Sequence, residues 1–189
     1  MKGLIKGMIE ESAGVKLGLY KGQLENIESA VKAIVKSLNN GNKLLVFGNG
    51  GSAADSQHIA AELVGRFKKE RRPLAAIALT TNTSTLSALA NDYGYNAVFS
   101  RQVEALGKKG DVALGISTSG NSSNVIEAVK KARSLGLTSI ALTGGSGGSL
   151  KSEADIAIVV NSDNTPRVQE SHILIGHIIC ELVENGIFK

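Results

Sequence analysis

Five short stretches of the chain are apolar at almost every position: Lys43–Gly48, Leu74–Leu79, Asp111–Ile116, Thr138–Leu142 and Asp155–Val160. A strand with one face in water alternates apolar and polar residues, whereas a strand covered on both faces does not, so these runs predict a buried parallel sheet. Helix formers without internal proline lie between them, over Ala53–Phe67, Ser84–Asn91, Asn121–Ser134 and a final segment from about Arg167 to Glu184. Strands alternating with helices predict the α/β class, as a three-layer αβα sandwich on a five-stranded parallel sheet with right-handed crossovers.

Two further helices are expected before the first strand, over Leu4–Leu17 and Leu24–Leu38. In the second, Leu24, Ile27, Val31, Ile34, Val35 and Leu38 fall on one stripe that suits the sheet or a partner subunit. The final helix contains HILIGHIICELV, apolar nearly all round and therefore buried, which favours a homo-oligomer. No internal repeat or low-complexity tract interrupts the pattern. The 189 residues fit one domain, 1–189, with helices in about the first 40 residues contributing to oligomer packing.

Composition narrows the function. Twenty-two glycines against two prolines point to tight turns and close backbone approaches. The net charge is +4, but the basic residues are scattered apart from a run at Arg66–Arg72, and aromatics make up only 4% of the chain. A nucleic-acid groove needs a larger basic face and stacking platforms, so none is expected. The single cysteine, Cys180, lies in an apolar run, reads as a core residue and fits a reducing, cytoplasmic setting. MKGLIKGMIEES has no long apolar stretch, and no signal peptide or membrane span is expected.

In doubly wound sheets ligands bind beyond the carboxyl ends of the strands, where three loops stand out. Gly48-Asn49-Gly50-Gly51-Ser52 follows the first strand. It lacks the GxGxxG spacing and the G-K-[ST] ending, which excludes a dinucleotide site and a P-loop. It is either a close approach to an anion at a helix N-terminus or a plain turn with Ser52 as N-cap. Ser117-Thr118-Ser119-Gly120-Asn121-Ser122 carries four hydroxyls in six residues. Capping needs one such residue, and the excess favours a neutral phosphate cradle. Thr143-Gly144-Gly145-Ser146-Gly147-Gly148-Ser149 reads as a flexible connector, with a wall of the site as the alternative.

Among the titratable residues, His58 and Glu62 are spaced i, i+4 and share a helix face. Gln169 and His177 lie eight positions apart on the final helix, within roughly 80° of each other around its axis. Taken alone, His177 on an apolar helix reads as a hydrogen-bonded core residue, and so does His172. Asn91-Asp92 could contact sugar hydroxyls or form a turn.

GNGGSAADSQHIAAEL, ALTTNTSTLSALANDYGY, FSRQVEALGKKGDVALGISTSGNSSNVIEA and RVQESHILIGHI together resemble the bacterial phosphoheptose isomerase family of SIS domains, in register from about Gly41 to Glu184. GISTSGNS alone would indicate only a SIS domain. The resemblance implies a flavodoxin-like SIS fold and a homotetramer with active sites at subunit interfaces. It implies conversion of sedoheptulose 7-phosphate to D-glycero-D-manno-heptose 7-phosphate through a cis-enediol, the first step of nucleotide-activated heptose synthesis. The implied substrate residues are Asn49, Gly50, Gly51, Ser52, His58, Glu62, Asn91, Asp92, Ser117, Thr118, Ser119, Ser122 and Gln169. The implied acid–base pair is Glu62 and His177, and the implied zinc ligands are His58, Glu62, Gln169 and His177, though Gln is an uncommon ligand. Thr165-Pro166 departs from members that carry an acidic residue there. A non-catalytic SIS branch that binds the replication initiator lacks the matching glutamate and histidine, and Glu62 and His177 argue against it. A sugar-phosphate sensor would bring a DNA-binding segment, of which the sequence shows none. Another SIS isomerase, such as one acting on a pentose phosphate, is disfavoured by the His58/Glu62 and Gln169/His177 set.

Overall fold

In the computed structural model, which describes residues 1–188, each of the five apolar runs forms a strand. These are β1 (Leu44–Gly48), β2 (Ala76–Ala78), β3 (Val112–Ser117), β4 (Thr138–Gly144) and β5 (Ile156–Val160). All neighbours pair in parallel, in the order β2-β1-β3-β4-β5. The apolar runs are continuous because both faces are covered. Leu44, Val46, Leu114, Ile116, Ile140 and Leu142 enter one core cluster. Leu45, Phe47, Ala113 and Ala141 enter the other.

The helices are α1 (Lys2–Gly18), α2 (Leu24–Asn39), α3 (Gly51–Val64), α4 (Thr83–Tyr93), α5 (Ser100–Leu106), α6 (Ser123–Ser134), α7 (Leu150–Glu153) and α8 (Thr165–Ile187). The side of Leu44 and Val46 is covered by α2, α3 and α8, and the opposite side by α5 and α6. The stripe on α2 buries Ile27, Val31, Ile34 and Leu38, while Leu24 stays exposed. Neither α5 nor α7 is expected from the sequence, since seven and four residues are too short for a helical period to show. The expected strand at Leu74–Leu79 pairs only over its middle three residues.

The end of α3 departs from expectation. The helix stops at Val64 rather than Phe67, and the chain turns at Gly65 into a loop. That loop is tied to α8 by a buried ion pair, with Arg71 Nε 2.9 Å from Glu184 Oε2 and both side chains 1% exposed. The backbone N–H groups of Phe67, Lys68 and Lys69 also donate to Glu184. The Arg71 guanidinium caps α3, donating to the carbonyls of Glu62 and Leu63 at 2.9 Å and of Gly65 at 3.2 Å. These are carbonyls that the helix end leaves without intrahelical partners. One turn before Glu184 on α8, Cys180 is buried against α3, its Sγ 4.0 Å from the Ile59 carbonyl, and burial pushes the thiol up to about 12.

Burial by itself would raise the Glu184 pKa, but the donors on Lys69, Lys68, Phe67 and Arg71 outweigh it and bring the carboxyl from 4.5 down to about 2. A depressed folded pKa contributes stability that is present above pH 4.5 and lost as pH falls toward 2. Removing one partner of a buried pair costs about 3–5 kcal/mol, so Glu184→Gln should lose that much at pH 7 in urea unfolding. The variant's stability should also fall less steeply than the wild type's between pH 4.5 and 2.

Candidate functional site

In the observed strand order, β1 has β2 on one side and β3 on the other, so the crossovers reverse direction between β1 and β3. That is the switch point where a crevice opens beyond the strand ends. The loops after β1 and β3 therefore lie side by side. Two amide hydrogen bonds lock them: Asn49 Nδ2 donates to Asn124 Oδ1 at 2.8 Å, and Asn124 Nδ2 to Asn49 Oδ1 at 2.9 Å. The Tyr95 hydroxyl is a second donor to Asn49 Oδ1, at 3.2 Å. Sequence reasoning singled out Asn49 but neither of these partners, because no pattern along the chain links positions 75 and 46 residues away.

Ser122 is the N-cap of α6, yet its side chain makes no cap bond. Its hydroxyl pairs with that of Ser117 at 2.8 Å. The first N–H groups of the helix are thus left to an outside acceptor, and Ser119 stands exposed beside them. An anion at this spot meets hydroxyls and the positive end of a helix dipole without any cationic side chain. The first loop behaves likewise: Gly50 is the N-cap of α3, so Ser52 is the second residue of the helix, buried rather than capping.

The third loop is a wall, not a flexible connector. Asn121 Oδ1 accepts from the N–H of Ser149, and the Gly120 carbonyl from that of Leu150. Gly120 has φ +66°, and a Cβ there would lie 2.0 Å from the Gly147 carbonyl oxygen. Only glycine fits that contact. The two loops and the start of α8 enclose a polar cleft of about 290 Å³ lined by Thr118, Ser119, Asn121, Ser146 and Asp163.

The titratable residues meet where α3 packs on α8. His58 Nε2 lies 2.9 Å from His177 Nε2 and 3.2 Å from Glu62 Oε1, and the donor atoms of all three lie within 4.8 Å of one another. One ring N–H can satisfy one of these two neighbours, so the knot holds more acceptors than donors. Two imidazoles and a carboxylate at this spacing suit a divalent cation; tetrahedral zinc sets its nitrogens roughly 3.3 Å apart. His177 is braced by the Phe67 ring at 5.6 Å. Gln169 lies farther up α8 with its amide against Gly51, where a Cβ would come within 2.6 Å of Nε2. Asp55, one turn before His58, has a buried Oδ2 with no partner; burial raises its carboxyl to about 6, and the charge of His58 offsets part of that.

Two expected residues stand apart. Asn91 and Asp92 are exposed on α4 and hydrogen-bond each other, and among the described residues neither bonds to the rest of the set. His172 is a hydrogen-bonded core residue, as expected: it is fully buried, its Nε2 lies 3.1 Å from the Thr143 carbonyl, and burial lowers its pKa to about 4.

An α/β sheet with serine-rich loops at its switch point and an ionisable cluster between two helices is an arrangement that suits a phosphorylated small molecule. Residues 9–144 match the SIS domain family. The chain is 58% identical to phosphoheptose isomerase of Aquifex aeolicus, over 97% of this chain and 96% of that one. It is 52% identical to that of Clostridium acetobutylicum, over 100% and 97%. The solved phosphoheptose isomerase of Neisseria gonorrhoeae superposes with a TM-score of 0.92 at 45% identity, covering 97% of this chain and 98% of that one. The chain belongs to the phosphoheptose isomerase family of SIS domain proteins.

The contact between the second and third loops is directly testable. Gly120→Ala should lower stability by about 1–3 kcal/mol through strain and overpacking. An unchanged urea midpoint would show that the loops are not joined at this point.

Proposed function

We propose that the chain interconverts sedoheptulose 7-phosphate and D-glycero-D-manno-heptose 7-phosphate through a cis-enediol. The convergence of His58, Glu62 and His177 supports this reading most directly. Moving a carbonyl between C1 and C2 needs a base for a carbon-bound proton and an acid for the carbonyl oxygen. Glu62 and His177 supply a carboxylate and an imidazole from facing helices. One takes the proton from the carbon bearing the hydroxyl while the other protonates the carbonyl oxygen. Redelivery of a proton to the neighbouring carbon, with loss of the hydroxyl proton, completes the exchange.

The hydroxyls of Ser117, Thr118, Ser119 and Ser122 and the N-terminus of α6 would hold the phosphate. Asn49, Gly50, Gly51, Ser52 and Gln169 would line the sugar, and binding at the phosphate end orients the distant reacting carbons. His58, Glu62 and His177, with Gln169 as a fourth donor, are the residues that would hold zinc. Zinc bound there would act as a Lewis acid toward negative charge on the substrate oxygens.

We also propose a homotetramer with sites at subunit interfaces, in which Asn91 and Asp92 reach the substrate of the assembled enzyme. The exposed side chains of Leu4, Ile5, Met8 and Ile9 on α1 support burial against another copy.

A coupled assay of sedoheptulose 7-phosphate consumption, with chelator and with added zinc, tests the reaction and the metal together. Turnover should fall on chelation and return with zinc; folded, zinc-loaded protein without turnover would overturn the proposal in favour of a binding protein. In the same assay Glu62→Gln should lower kcat by about 10²–10⁴-fold with KM little changed. Ser119→Ala should raise KM by about tenfold, as expected for the loss of one hydrogen bond to a charged group.

A further inference from the structure

We propose that Arg71 and Glu184 are positioning residues that set the alignment of Glu62 with His177, a role that rests on the acid–base reading of those two groups. Neither Arg71 nor Glu184 reaches the crevice; both are buried between the end of α3 and α8. Each is nonetheless bound to the backbone that carries one member of the pair. The Arg71 guanidinium donates to the main-chain carbonyl of Glu62 itself, at 2.9 Å, and to that of the next residue. Glu184 is seven residues after His177 on α8, two helical turns along the same face. The 2.9 Å contact between Arg71 and Glu184 therefore joins the two helices just beyond the site.

A second path runs through the loop. Glu184 accepts from the N–H of Phe67 at 3.1 Å, and the Phe67 ring lies 5.6 Å from that of His177. Within the site the helices meet at Gly176, where a Cβ would lie 2.9 Å from Ile59. Close packing there sets how near the helices approach, and the directional bonds of Arg71 and Glu184 fix their alignment at the end that carries Glu62. A planar fork satisfies the carboxylate and the helix-end carbonyls together, which a lysine ammonium does not reproduce. A misplacement of about 1 Å at the reacting groups is enough to cost 10²-fold in rate.

The test compares Arg71→Lys and Glu184→Gln with the wild type in the zinc-loaded protein, well below each variant's melting temperature. The expected result is a kcat lowered by about 10–100-fold with KM within about twofold, Arg71→Lys being the milder. In metal-free protein, the ring signals of His58 and His177 and the contacts of His177 with Phe67 should shift, while the signals of buried His172 stay in place. A lowered melting temperature with wild-type kcat and unmoved His177 signals would overturn the proposal and leave the pair a purely structural one. Should Glu184→Gln fail to fold, Arg71→Lys decides on the same criteria. Wild-type protein without turnover would remove the functional reading instead, and the ring signals would then decide alone whether the pair orients His177.

Discussion

The packing of α8 along α3 is the contact on which the candidate chemistry depends. His58 and Glu62 sit on one helix and His177 on the other, the two histidines 119 positions apart in the chain. Nothing holds them together except the way these helices meet. The contact is apolar along most of its length, through Ile59, Leu63, Ile175, Ile179 and Val183. It ends in one saturated polar knot at Arg71 and Glu184. An unpaired charge at that depth would be expensive, so the knot persists only because every bond in it is made.

The proposed phosphate end follows a different logic. Two strands that end side by side at the switch point present two helix N-termini to one crevice. Neither α3 nor α6 caps its own start with a side chain, so the donors face outward. Holding an anion there with helix ends and hydroxyls would avoid burying a lysine or arginine next to the proposed reacting groups, where its charge would perturb their proton affinities. The Asn49–Asn124 pair keeps the two loops in register, and the Gly120–Gly147 contact closes the third wall.

Much of this was legible along the chain, for identifiable reasons. Continuous apolar runs mark strands covered on both faces, and all five were found, with errors confined to their ends. The hydroxyl excess at Ser117–Ser122 argued against simple capping, and in the structure Ser122 does leave its own helix uncapped. Short elements escaped, because α5 and α7 do not complete a period. The third loop was misread because its glycines look flexible in composition, whereas Gly120, Gly147 and Gly148 serve a close backbone crossing. The ending of α3 was misread because the residue that caps it, Arg71, looks like one more charge in a basic run.

The amino-acid sequence by itself determined the local choices: which segments are strands or helices, where hydroxyls cluster, and that His58 and Glu62 share a face. Those depend on periods of two and 3.6 residues and on turn chemistry, which operate over a few neighbours. Resemblance to a family added the grouping of His177 with them, which spacing alone did not. Only the tertiary structure decided that the imidazoles meet at 2.9 Å, that Asn124 and Tyr95 hold Asn49, and that Arg71 and Glu184 form a buried pair. Each of these joins residues far apart in the chain, and such contacts are set by how whole faces pack, a property no short stretch of sequence carries.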